Sequence, residues 1–120
     1  MWTQEELDAI DQEDSLFISI PNAEGKMHKP TYIWGVSSNG SFYARGASGV
    51  TSKWYQAALV AKKAHIVIGS VEKDVILEFP TDIKTKINVD KAFRQKYNSY
   101  LDLMTSEAVS AATVKMIPIN

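Results

Sequence analysis

Short apolar runs separated by turn residues constrain the fold of this chain more than any other feature. The runs are rich in β-branched and aromatic residues and are typical of strands; they cover residues 15–20, 30–37, 41–45, 64–70, 74–79 and 111–119. Asn39-Gly40 is a pair favoured in tight hairpins. A short helical pattern at 52–62 has strand pairs on both sides, which favours an antiparallel sheet or barrel over a doubly wound parallel sheet.

Two further helices are predicted at opposite ends of the chain. Thr3 and Glu6 fit a capping box, which predicts a short helix from Thr3 to Asp11. Apolar residues recur at helical spacing from Asn88, the predicted cap, to Met104, and predict one long helix. Residues 71–73 are predicted to turn between two strands. The expected fold is therefore α+β, a mostly antiparallel split β-barrel of about six or seven strands with helices packed outside, in a single domain over residues 1–120.

Composition excludes several classes of function. Thirteen basic and fourteen acidic residues give a net charge of -1. The chain therefore lacks the excess of positive charge that a general nucleic-acid-binding protein needs. No cysteine occurs, so disulfides, thiolate nucleophiles and zinc fingers are excluded. The chain shows neither a secretory signal nor an apolar run long enough for a membrane, and we expect a cytoplasmic protein with no membrane partner.

The segment at residues 43–55 carries the strongest chemical signal. A strand delivers Arg45 into a loop of Gly and Ser residues, and a helix begins after Ser52. Arg45, Ser48, Ser52 and Lys53 are donors suited to a phosphate, and the N-terminus of the helix favours an anion. The alternative is structural: Arg45 pairs with a surface carboxylate, and the hydroxyls bond only to the backbone. Trp54 either stacks on a flat ligand or packs in the core.

The remaining polar residues do not identify a reaction. His28 lies in a polar turn and His65 at the start of a strand, and nothing in the sequence brings them together into a metal site. Asp90 and Arg94 have the i,i+4 spacing of a helix ion pair. The motifs of phosphate-binding loops, dinucleotide-binding folds, serine hydrolases and zinc proteases are all missing. The sequence therefore identifies no catalytic residue and leaves open whether the protein is an enzyme.

Several segments together resemble a known family. They are Tyr32–Val36, Phe42–Gly46, Ser52–Leu59, Val89–Tyr97 and Ala111–Pro118. This pattern resembles a bacterial family of unknown function, which is similar to the deazaflavin-dependent nitroreductases and, more remotely, to the pyridoxamine phosphate oxidase-like FMN-binding split barrels. The resemblance covers nearly the whole chain.

The resemblance implies a fold, a cofactor and a site. It implies a split barrel that binds FMN, with Arg45, Ser48, Ser52, Lys53 and Trp54 around the phosphate and ring, and it implies a homodimer. The nitroreductases are more basic in the region that corresponds to residues 23–30, which favours FMN over a deazaflavin. We expect a flavin-binding, oxidoreductase-like protein of unknown substrate. The alternative is a non-catalytic module that has lost the cofactor and retains a small ligand or only the dimer.

Overall fold

Six antiparallel strands close into a barrel. The computed structural model describes residues 1–14 and 16–119. The strands are β1 Leu16–Ser19, β2 Thr31–Ser38, β3 Ser41–Arg45, β4 Lys63–Ile68, β5 Val71–Glu78 and β6 Thr113–Pro118. They are paired around the barrel in the order β1-β2-β3-β6-β5-β4, and β4 pairs back with β1. The predicted α+β barrel is confirmed.

In the described part of the chain, five helices surround this barrel. They are α1 Gln4–Gln12, α2 Lys53–Ala61, α3 Ile83–Lys96, α4 Leu101–Met104 and α5 Glu107–Ser110. The predicted capping box of α1 is present, because Thr3 accepts from the Glu6 N–H and Glu6 bonds back to the Thr3 N–H. A single 3-10 turn, Gly49–Thr51, precedes α2. Among the described helices, none has the length and apolar character needed to cross a bilayer.

Strand β3 separates two hydrophobic cores. Successive side chains of a strand point to opposite faces, so Phe42 and Ala44 lie in the interior of the barrel while Tyr43 and Arg45 lie on its outer side. The interior core also contains residues of α1 and α2. The second core lies outside the barrel, where Tyr43 packs with Val89 and Phe93 of α3. Arg45 is therefore directed towards the helices that cover this side.

The prediction of one helix from Asn88 to Met104 is wrong. The helix begins earlier because Asp82 caps it by accepting a bond from the Thr85 N–H, and Asn88 lies in its interior. It ends at Lys96; Tyr97 is extended and Tyr100 adopts the left-handed conformation before α4 begins. The apolar spacing continues past the break because Met104 packs into the same outer core.

The predicted turn at residues 71–73 is also wrong. Val71 pairs with Ile68, so the turn consists of Gly69 and Ser70, and Gly69 has a positive φ of 57°. Glu72 belongs to β5 and is exposed. A polar residue on the solvent face of a strand resembles a turn residue in sequence, which explains the error.

Candidate functional site

The loop between β3 and α2, residues 46–52, separates two cationic regions of very different character. On one side lies Arg45, with the residues it contacts; we call this the arginine cluster. On the other side lies a surface groove beside α2; we call this the α2 groove. The five residues predicted to bind a cofactor are divided among these two regions and the loop itself.

In the arginine cluster, every N–H group of Arg45 has an acceptor in the chain. A guanidinium carries five such groups. Nε donates to Thr113 Oγ1 at 2.9 Å, Nη1 to Asp90 Oδ1 at 2.5 Å and to the Met104 carbonyl at 2.9 Å, and Nη2 to the Lys86 carbonyl at 3.0 Å and Ser110 Oγ at 3.2 Å. These bonds tie β3 to β6 and to all three C-terminal helices.

The surroundings of Arg45 are those of a buried structural ion pair. Its side chain has no exposed surface, and its guanidinium lies 5.5 Å from the centre of the Phe93 ring. Burial lowers the pKa of Arg45, and the hydrogen bond and charge of Asp90 oppose that change. Asp90 thus bonds to Arg45, in place of the Arg94 partner expected from helical spacing.

This geometry bears directly on the predicted role of Arg45. To reach a cofactor phosphate, Arg45 would have to break at least one of its internal bonds and leave a buried acceptor without a donor. The structure shows Arg45 paired with a carboxylate, as in the alternative, although Arg45 is fully buried and Asp90 is partly exposed. The reason is its position in β3, which directs the side chain under α3.

The α2 groove lies between α2 and the chain that leads from β1 into β2. Its volume is about 200 Å³, and it is lined by Ile18, Ile20, His28, Lys29, Thr31, Lys53, Trp54 and Ala57. At His28 and Ala57 it meets a second cavity of about 470 Å³ that runs along α2. The two spaces together reach the size of an ordinary small-molecule site.

The cations of the groove differ from Arg45 in having no internal partner. Within residues 1–14 and 16–119, neither Lys29 nor Lys53 takes part in an ion pair or a side-chain hydrogen bond, and both are exposed. Trp54 is partly exposed and makes an edge contact with Tyr55. Ile18 and Ile20 are buried and provide an apolar floor. The groove thus combines free positive charge, an aromatic ring and an apolar surface.

The other two predicted residues lie in the loop and do not line the groove. Ser52 immediately precedes α2, but its hydroxyl makes no capping bond. Ser48 is exposed, and its carbonyl accepts from Thr51 Oγ1 at 2.8 Å. Of the five predicted residues, Lys53 and Trp54 therefore line the groove, Ser48 and Ser52 stand next to the start of α2, and Arg45 lies in the other region.

Sequence reasoning missed the contribution of His28 and Lys29. The sequence pattern places His28 in a polar turn and shows residues 23–30 only as less basic than the corresponding region of the nitroreductases. The signal that could have found them is their position just before β2: Ile18 pairs with Thr31, so the residues ahead of Thr31 lie beside the end of β1 and near α2.

Comparison with known proteins identifies the family. A family model described as "Uncharacterized protein conserved in bacteria (DUF2255)" matches residues 6–116. The chain belongs to the DUF2255 family. This confirms the resemblance to a bacterial family of unknown function. No curated protein sequence matches the chain.

Solved structures with the same fold agree with this assignment. A heme storage protein from Vibrio cholerae has a TM-score of 0.73 at 10% identity, with 100% of this chain and 92% of that chain covered. A putative pyridoxamine 5'-phosphate oxidase from Listeria innocua has a TM-score of 0.70 at 12% identity, covering 97% and 92%. A putative 5-nitroimidazole antibiotic resistance protein from Bacteroides thetaiotaomicron has a TM-score of 0.57 at 18% identity, covering 100% and 81%.

At these identities the similarity establishes the fold and nothing finer. The chain has a split-barrel fold. The ligand and the activity have to be argued from its own residues.

Proposed function

We propose that the protein binds FMN in the α2 groove and serves as a flavin-dependent oxidoreductase. The single observation that carries this proposal is that Lys29 and Lys53, two cations without a partner among the described residues, line one groove together with Trp54. A phosphate and a flat ring are the two chemical parts that such a groove suits. The split-barrel fold, shared with a putative pyridoxamine 5'-phosphate oxidase, supports the choice of a flavin.

The phosphate would be held by the two lysines. Both side chains are exposed on the groove, so neither has to give up an existing bond to bind an anion. Lys53 is also the first residue of α2, where the unpaired backbone N–H groups and the helix dipole add to the same positive field.

The ring would lie against Trp54 and the apolar floor. Aromatic side chains give a large contact area at low entropic cost, and Ile18 and Ile20 form a dry surface below. The cavity beyond His28 extends the groove along α2 and gives space for a second molecule. A bound flavin would supply the hydride chemistry, while the protein would supply position and charge.

The alternative is a non-catalytic module that uses the same groove for a small phosphorylated or aromatic ligand. The visible spectrum of freshly purified protein, followed by titration with FMN, separates the two functions. The proposal expects a yellow protein or a saturable quenching of FMN fluorescence, together with reduction of the bound flavin by a nicotinamide donor. Saturable binding without reduction favours the module, and no saturable binding contradicts the proposal. Hemin is titrated in parallel, because one protein of this fold is described as a heme storage protein.

We also propose that the protein is a homodimer. Two isoleucines one helical turn apart on α3, Ile83 and Ile87, are 74% and 47% exposed. Adjacent exposed apolar side chains are typical of an interface. Light scattering at micromolar concentration is expected to give twice the mass of the chain. The Ile83→Lys variant is expected to give a lower mass. A monomeric wild-type protein would contradict this proposal.

A further inference from the structure

A separate cavity, distinct from the α2 groove and from the cavity that adjoins it, lies between the end of α1, β2 and the end of α3. Its volume is about 270 Å³, and it is lined by Asp14, Tyr32, Trp34, Lys96, Tyr97, Asn98 and Ser99. It shares no lining residue with the α2 groove. Its notable member is Lys96, the last residue of α3.

The amino group of Lys96 is held by two backbone carbonyls. Nζ donates to the carbonyl of Ile10 at 2.5 Å and to that of Gly35 at 2.8 Å. Within the described residues, no carboxylate forms an ion pair with it. A neutral amine has two N–H groups and one lone pair, so these carbonyls satisfy the neutral form fully. The fourth tetrahedral position on the nitrogen carries the lone pair.

Burial makes the neutral form of Lys96 more accessible than that of an ordinary lysine. Burial lowers the pKa of Lys96 to about 8, although the carboxylates of Asp11, Glu13 and Asp14 act in the opposite direction. Tyr97 contacts the amino group through its ring, 4.9 Å away, and burial raises the pKa of its phenol, so it stays uncharged. Tyr32 of β2 and Asp14 are further titratable groups in the wall.

We propose that Lys96 is a reactive amine that forms an imine with an uncharged, flat aldehyde bound in this cavity. The lone pair of Nζ attacks the aldehyde carbon and gives a carbinolamine. The C–O bond then breaks, the oxygen leaves as water with the two protons that the nitrogen carried, and a C=N bond remains. No electron leaves or enters the system, and water reverses the step.

The surroundings of Lys96 can accept the product. The neutral imine has no N–H, and its nitrogen takes up one proton from water; this new N–H can donate to the Ile10 carbonyl, which the amine contacts now. The Gly35 carbonyl loses its bond to Nζ but continues to accept from the Tyr97 hydroxyl at 3.2 Å. The carboxylates at the end of α1 favour the positive charge of the protonated imine. No buried acceptor is therefore left without a donor.

The walls of the cavity indicate the class of aldehyde. Tyr32 is 48% exposed and Trp34 is partly exposed, so aromatic surface is available to a flat ring. Asp14 lies in the same cavity and disfavours a ligand with a negative charge. An uncharged aromatic aldehyde fits both conditions.

Labelling with benzaldehyde and sodium cyanoborohydride tests the proposal. The borohydride reduces the imine, and peptide mass spectrometry then measures the labelling rate of each lysine in the wild-type protein. Lys91 is an internal control, since it is exposed on the same helix. Lys96 has a pKa of about 8, so roughly half of it is unprotonated when labelling is done at about pH 8. Less than about 1% of an ordinary lysine is unprotonated at the same pH. We therefore expect Lys96 to be labelled about tenfold faster than Lys91 or more.

A second aldehyde tests the cavity itself. 4-Carboxybenzaldehyde carries a negative charge. We therefore expect the ratio of its labelling rate to that of benzaldehyde to be several-fold lower at Lys96 than at Lys91. A Lys96 that reacts no faster than Lys91 would overturn the proposal and leave Lys96 as a structural link between α3, α1 and β2. An equal fall at both lysines would overturn the assignment of the aldehyde to this cavity.

Discussion

The arginine cluster and the α2 groove flank the same loop, yet they use positive charge in opposite ways. Arg45 is buried, and its five donors are all engaged within the chain. Lys29 and Lys53 are exposed and engage no acceptor in the described part of the chain. A cation whose bonds are complete contributes to the fold, whereas one without partners is available to a ligand. The cation with complete internal bonds and the two lysines of the proposed binding groove thus lie on opposite sides of residues 46–52.

The largest expected effect is on the arginine cluster. Arg45→Ala leaves Asp90, two carbonyls and two hydroxyls without their common donor, and we expect a loss of about 3–5 kcal/mol in the free energy of unfolding. Chemical denaturation measures it. The double substitution Arg45→Met with Asp90→Leu removes both charges and is expected to recover part of the loss. A loss below about 1 kcal/mol in the single variant would mean that Arg45 behaves as an exposed ion pair.

The loop between the two regions is expected to show an intermediate effect. Gly49 has a φ of 67°, and a Cβ there would lie 3.0 Å from the Ala108 carbonyl oxygen. Gly49→Ala is therefore expected to cost about 1–3 kcal/mol of stability. Gly40→Ala is a matched control, because Gly40 has a φ of 78° with open space around it and so isolates the backbone strain. Equal losses in the two variants would show that the contact with Ala108 has no effect.

A third charged site, on the outer face of β4 and β5, is expected to contribute less. The hydrogen bonds of Glu72 and Asp74, both at 2.8 Å, raise the pKa of His65 above its unfolded value. The stabilisation is therefore complete below about pH 6.5 and is lost as the pH rises through the raised pKa. Because the groups are largely exposed, it should stay under about 1 kcal/mol.

Denaturation of wild type and His65→Gln at two pH values measures this effect. Wild type should be the more stable protein at about pH 5.5, and the difference should shrink at about pH 9. A stability difference between wild type and His65→Gln that grows with pH would contradict a raised pKa of His65 in the folded protein.

The smallest effect on stability is expected in the α2 groove. Lys29→Gln together with Lys53→Gln removes two charges that have no partner in the part of the chain that the structure describes, so the free energy of unfolding should change by less than about 0.5 kcal/mol. The same denaturation experiment used for Arg45→Ala provides the direct contrast. A loss comparable to that of Arg45→Ala would remove the distinction between the two regions.

The sequence predicted the barrel well, but it did not show which of the candidate site residues lie together. Strand β3 was predicted with its observed bounds, because local apolar patterning and the Asn39-Gly40 turn act over a few residues. The role of Arg45 depends instead on Asp90, Met104 and Ser110, which are distant in sequence and meet it only when α3 to α5 pack on the barrel. The grouping of Lys29 with Lys53 likewise depends on strand pairing, and residue spacing along the chain does not show it.

Fluorescence titration tests the central claim most directly, with FMN and with riboflavin, which lacks the phosphate. Wild type, the Lys29→Gln/Lys53→Gln variant and the control Lys84→Gln, an exposed lysine outside the groove, are compared at one salt concentration. We expect saturable FMN quenching by wild type and a weakening of about tenfold to a hundredfold in the double variant, or about 1.5–3 kcal/mol. Riboflavin should bind wild type and double variant equally, and Lys84→Gln should behave as wild type. Equal FMN affinity in wild type and the double variant would contradict the account.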